Sequence, residues 1–235
     1  MKKKLNDATR YYHQKDILRP IGMVLLPLGL VMMWLGWSFI SYILAAVFIP
    51  AGLVMFLVGS SKFVSDNDIR EQIDHAMLDY DKSVTDMNGY ERIVLKQPAP
   101  LEIEAYQFGE TAKYFKRGKN STPVSDVFTR TRLFYTKDAI MIVGRTLCIS
   151  ELNEAEGKGI TDVSETIAYE GITSASLEIH EVQVTQTNTG KPMNVKWCEL
   201  VIMGHDEELI RFPAKNDMDA TGLVDDLNRM ASRKV

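Results

Sequence analysis

From Ile21 to Ser60 the chain runs for 40 consecutive residues without one Asp, Glu, Lys or Arg. As a single helix the run would span ~60 Å at ~1.5 Å per residue, about twice the ~30 Å hydrocarbon core of a bilayer. Two passes of about 20 residues fit that thickness. The midpoint falls in LGWSFISY, residues 35–42, where Gly36 and Ser38 weaken a helix. Trp34, Trp37 and Tyr42 gather there as interfacial aromatics, and Arg19 and Lys62 flank the far ends of the two passes. A soluble hairpin of two core helices would rarely keep so long an interval free of charge. A signal peptide would have an apolar stretch of only ~7–15 residues ahead of a small-residue cleavage site.

Flanking charge sets the expected orientation. Lys2, Lys3, Lys4, Arg10, Lys15 and Arg19 precede the run and Lys62 follows it, while the turn carries no charge. The positive-inside rule then places both termini in the cytoplasm, as a multi-pass protein of the inner membrane. Cys148 and Cys198 would lie in reducing surroundings and need not pair. No Asp, Glu, His, Lys or Arg lies inside the run, so the hairpin reads as an anchor rather than an ion or proton pathway. Pro27, Gly29, Pro50 and Gly52 are candidates for kinking or packing its helices.

The two parts of the chain differ in charge. Residues 1–62 hold seven Lys/Arg and two Asp/Glu, whereas the remainder holds 20 basic and 29 acidic residues. The basic tail suits anionic lipid headgroups. The acidic remainder argues against nonspecific nucleic-acid binding. The chain therefore divides into a basic tail (1–20), a transmembrane hairpin (21–60), a connecting segment (61–98) and a cytoplasmic domain (99–235).

Within the connecting segment, SDNDIREQIDHAMLDYDKSV (65–84) predicts an amphipathic helix, capped by Ser65 or Asp66, with Ile69, Ile73, Met77 and Tyr80 on one stripe. From Leu101 the pattern alternates. LEIEAYQF (101–108), TRTRLFYT (129–136), DAIMIVG (138–144) and TLCIS (146–150) read as successive strands. Residues 165–187 give a strand, a turn at Glu170-Gly171 and a further strand pair, with a change of phase near His180-Glu181 that suggests a bulge or hairpin. TNTGKP (187–192) is a turn, KWCELVIM and ELIRFP form a hairpin, and NDMDATGLVDDLNRMASRK closes the chain as a helix with Leu223, Leu227 and Met230 on one side. The fold class is α+β, mainly β.

About seven antiparallel strands followed by one helix is the order of a pleckstrin-homology domain. RTRLFYTKDAIMIV resembles that family's second-to-third-strand hairpin, and ETIAYEGITSASLEI and EELIRFPAKNDMDATGLVDDLNRM resemble segments of its bacterial branch. The closing helix lacks the Trp of many eukaryotic members. The resemblance implies a small antiparallel barrel or sandwich capped by the helix. It also implies a basic ligand site in the first hairpin loop and the next strand, at Lys113, Lys116, Arg117, Lys119, Arg130 and Arg132, with Tyr114 and Phe115 interleaved. Arginine suits such a site because its planar fork binds phosphate through two parallel hydrogen bonds.

No catalytic constellation is expected. The four histidines are scattered outside metal-ligand spacing, no Ser sits in a G-x-S-x-G elbow, and EGKGITD (156–162) lacks the length and Lys-Ser/Thr ending of a phosphate-binding loop. The sequence thus predicts a non-enzymatic scaffold without cofactor or metal, touching membrane lipids and recruiting a protein partner or a second copy. A ligand-gated membrane effector, sensing a small anion or anionic headgroup through residues 113–132, is the alternative.

Overall fold

The computed structural model describes residues 7–15, 17–36, 39–85, 100–118, 121–153, 156–205, 207–215 and 218–232. They form two units, Met1–Ser65 and Asp66–Val235.

The first unit is built on the apolar run. Helix α2 (Leu18–Leu35) ends at Gly36, whose φ of 54° supplies the left-handed cap that a Cβ would disfavour. Helix α3 begins at Phe39 and runs to Lys62. The chain therefore reverses within LGWSFISY. Both helices are long and apolar enough to cross a membrane, and only 11% of each span is buried. A helix in a soluble core would bury its apolar side chains, whereas these stay largely exposed, so the chain carries a membrane anchor.

Glycines hold the two helices together. A Cβ on Gly22 would come within 2.6 Å of the Phe56 backbone, on Gly52 within 2.9 Å of the Leu26 backbone, and on Gly59 within 2.8 Å of the Arg19 backbone. Gly22 and Gly29, like Gly52 and Gly59, are seven residues apart, two helical turns, so each pair lies on one stripe. Close approach of backbones is what small residues provide where water offers no hydrophobic drive.

The basic tail is not featureless. It contains a short helix, α1 (Asp7–His13), with Ala8, Tyr11 and Tyr12 buried. The Gln14 side chain donates to the Val64 carbonyl and accepts from the Val64 N–H at 2.9 Å, tying this segment to the chain beyond α3.

The second unit begins with α4 (Asp66–Thr85), where the predicted stripe of Ile69, Ile73, Met77 and Tyr80 is fully buried. A four-stranded antiparallel sheet follows, in the order β1 (Leu101–Tyr106), β4 (Val127–Tyr135), β5 (Ala139–Cys148), β6 (Ile160–Ala168). A second sheet runs β7 (Ser174–Thr185), β8 (Pro192–Met203), β9 (Glu208–Ala214), and α5 (Met218–Ser232) closes the chain. The main core gathers Leu133, Ile140 and Ile142 of the first sheet, Leu200, Ile202 and Phe212 of the second, and Leu223 and Leu227 of α5. The Asn228 amide pairs with both backbone groups of Ala175, satisfying one edge position of β7.

Several expectations are corrected. The sheets are open, so the domain is not a closed barrel. The hairpin β2 (Phe115–Arg117) and β3 (Pro123–Ser125) forms a separate two-stranded sheet where a loop was expected. Residues 139–148 are one strand rather than two, because Gly144 sits mid-strand opposite Thr131 instead of turning the chain. Residues 174–185 are also one unbroken strand. The change of phase near His180 marks a change of core. Ala175 and Leu177 face the main core, whereas Val182 and Val184 face a second, smaller one with Phe108, Met193 and Val195. The glycines of EGKGITD serve the turn into β6: Gly157 and Gly159 have φ of 64° and 73°, and a Cβ on Gly159 would come 2.7 Å from the Cys148 carbonyl oxygen.

Candidate functional site

Of the six predicted ligand residues the structure describes five, and these are divided between two elements, Arg130 and Arg132 on β4 and Lys113, Lys116 and Arg117 on or just before β2. Strand alternation puts Glu102 and Glu104 of β1 on the same sheet face as Arg130 and Arg132 of β4, and the register sets Glu104 beside Arg130 and Glu102 beside Arg132. Arg130 in turn faces Arg145, and Arg145 faces Asp162. One row therefore crosses all four strands as acid, base, base, acid.

Helix α4 lies on this row. The Arg130 side chain is only 8% exposed. It donates to Glu104 at 2.7 Å, Asp81 at 2.9 Å and Asp74 at 3.2 Å, and Arg70 joins Glu104 at 2.9 Å. Arg132 pairs with Glu102 at 2.5 Å and Asp81 at 3.0 Å. Arg145 binds Asp162 through two 2.7 Å bonds and donates to the Ala76 carbonyl, while the Tyr80 hydroxyl donates to the Val143 carbonyl at 2.7 Å. Burial works to raise the Glu104 pKa, but hydrogen bonds from Arg70 and Arg130 outweigh it and hold the carboxyl below its usual value. Burial likewise opposes the charge on Arg130, and the bond to Glu104 overcomes it. These guanidinium groups thus bind helix to sheet.

The other predicted residues lie on the β2–β3 hairpin and before it. Asp126, fully buried, accepts from the N–H groups of Lys113 and Tyr114 and from the Ser150 hydroxyl, which fixes the start of the hairpin. Lys113 extends outward and pairs with Glu151 at 2.5 Å. Lys116 is buried and Arg117 exposed. Phe115 packs into the smaller core, stacked at 6.3 Å on Phe108. Lys119 lies outside the described residues. Of the membrane-interface residues, Trp34 and Tyr42 are exposed near the hairpin turn, and Arg19 places its guanidinium 5.4 Å over the Phe63 ring at the other end. Trp37 lies outside the described residues, as does the side chain of Lys62.

Two features escaped the sequence. On the second sheet Glu178, His180 and Glu199 offer ligand atoms within 4.8 Å of one another. Arg211 already occupies the two carboxylates, at 2.7 Å from Glu178 and 2.8 Å from Glu199, and reaches Glu208 at 2.8 Å. The His180 ring rests on Trp197 at 4.9 Å. The guanidinium supplies the positive charge that Glu178 and Glu199, directly opposed across β7 and β8, require.

The second feature is a cleft of about 500 Å³. Tyr106, Phe108, Phe128, Val195 and Trp197 provide aromatic and aliphatic walls, and Ile179, 63% exposed, stands at its margin. Tyr106 meets Phe128 edge to face at 5.2 Å, and burial pushes its phenol up to about 12. Arg70, Lys196 and Lys215 contribute cationic groups. Its volume falls in the range of small-molecule pockets, and its lining is mainly apolar with a few polar groups. Periodicity finds each strand, but only the register and strand lengths bring these residues together.

Comparison with known protein families, with curated proteins and with solved structures gives no match.

Proposed function

We propose that this chain is a membrane-anchored binding module. A two-pass hairpin with both termini in the cytoplasm holds a pleckstrin-homology-like domain at the inner membrane of a bacterium, where the domain recruits a protein partner or a second copy. The observation that carries this reading is the division of labour along the chain. The hairpin has no Asp, Glu, His, Lys or Arg and packs along glycine stripes, while Arg130, Arg132 and Arg145 of the domain are engaged in holding α4 to the sheet. Among the described residues the domain keeps an open cleft with a mainly apolar lining.

Four antiparallel strands, then three, then a helix over the core is the strand order of the pleckstrin-homology fold, with β2–β3 inserted after the first strand. Conversion into an anion sensor would require Arg130 and Arg132 to release carboxylates at 2.5–3.2 Å, which weighs against the ligand-gated alternative.

The test is purification of the full chain in gentle detergent beside residues 1–64 alone. One protein at fixed stoichiometry with the full chain only, unchanged by Lys113→Ala/Arg117→Ala, is the expected result. A bound phospholipid or nucleotide lost in that variant, with no protein enriched, would turn the assignment to a sensor.

A further inference from the structure

The cleft lies between two strand edges. The pairing of β8 with β7 continues to Thr185↔Pro192, but its pairing with β9 stops at Cys198↔Ala214. Among the described residues, 192–197 of β8 thus have a neighbouring strand on one side only. Strand β1 ends the first sheet, so among the described strands only β4 is hydrogen-bonded to it. Both strands line the cleft with consecutive residues, Val195 to Trp197 on β8, up to Cys198 where β9 begins to pair, and Glu104 to Tyr106 on β1. Consecutive residues point to opposite faces of a strand, so a cleft touching all of them is touching the strand's edge. Ala214 and Lys215, where β9 stops, and Thr122 and Pro123, at the start of β3, also line it.

We infer that this cleft receives an extended segment of a partner protein, which adds to β8 as a strand in line with β9. The proposal rests on the binding-module reading and gives its partner a chemistry. A strand there would satisfy β8 backbone groups that a small apolar molecule would leave without partners. Alternate side chains of the segment would enter the space between Tyr106, Phe128 and Trp197, and those between them would meet Lys196 and Lys215. Lys196 holds only a loose 3.5 Å contact with Glu181, both side chains being well exposed. The one acidic residue of the lining, Glu104, is already neutralised by Arg70 and Arg130. The fitting segment therefore alternates large apolar residues with acidic or small polar ones.

The probe is a displayed library of heptapeptides, apolar at alternate positions with Asp, Glu, Ser or Thr between, panned against the full chain in nanodiscs with empty nanodiscs as control. Enriched peptides are then synthesised with and without N-methyl groups along one edge. Saturable binding that N-methylation weakens at least about tenfold is expected. Hydrogen-exchange protection should fall on residues 195–197, and Ile179→Arg and Lys215→Glu should both weaken binding while leaving the melting temperature unchanged. No enrichment over empty nanodiscs overturns the proposal, as does indifference to N-methylation or protection confined to other strands. Protection of these residues that grows with protein concentration in the absence of peptide would make the occupant a second copy and also overturns it. If the slot fails while the full chain still purifies with one protein at fixed ratio, the binding-module reading stands and only this site falls.

Discussion

Arg130 shows how a side chain can look like a ligand-binding group in sequence and be a structural tie in space. The strand that carries Arg130 was legible, but the register that pairs Arg130 with Glu104 was not. Nor were the bonds of Arg130 to Asp74 and Asp81, since nothing in the periodicity of α4 tells which sheet its polar flank will meet. Arg130→Ala is expected to destabilise the chain by about 2–4 kcal/mol, somewhat below the cost of breaking a fully buried pair because the carboxylates keep some solvent. Urea unfolding of the full chain in detergent checks this, and a loss under 1 kcal/mol would assign the arginine a merely superficial role. Burial also pushes the phenols of Tyr80, Tyr106 and Tyr135 up to about 12 from an ordinary value of 10.0. A raised folded-state pKa contributes stability that is whole below pH 10 and disappears as pH climbs through 12. Alkaline unfolding within that window, with the ring signals of these three tyrosines, assigned by NMR of single Tyr→Phe variants, turning to phenolate late and together with the loss of structure, is the expected course. Phenolate forming near pH 10 at these three positions in the folded protein would contradict it.

At the scale of elements, the signals that served best were those of a single periodicity serving a single environment. The α4 stripe, the α5 stripe and the hairpin turn of the anchor all obey this, and each lies where the sequence put it. Elements serving two environments misled. Strand β7 changes core partway along, which in sequence is indistinguishable from a bulge, and β5 carries Gly144 through its middle, which in sequence resembles a turn. The cleft was invisible for a related reason, since a missing stretch of partner strand is a property of two lengths and a register. The glycine stripes of the anchor were legible only in part, because Gly29 and Gly52 stand out while their role depends on which backbone they face. Gly22→Leu should force α2 and α3 apart, at a cost of about 1–3 kcal/mol from overpacking. Disulfide cross-linking of cysteine pairs placed along the seam should then fall, whereas Leu30→Ala, on an exposed position, should leave it unchanged. Equal cross-linking in both variants would remove the glycines from the packing of the pair.

For the whole molecule, the long ribbon of β7 and β8 has a consequence beyond shape. Its twelve cross-strand pairs run without interruption from the main core into the smaller one. Neither core can melt while the other keeps the ribbon intact, since each would have to unzip a ladder that the other still grips. The residues from Asp66 onward should therefore lose their structure in one cooperative step, with near-UV signals from Trp197 and from the Tyr135 side of the main core changing at the same denaturant concentration. Two separate midpoints would show that the ribbon bends or frays between the cores. If the midpoints coincide, a segment held at the small core tightens the large one as well, and occupancy of the cleft becomes a measurable gain in the durability of the entire domain.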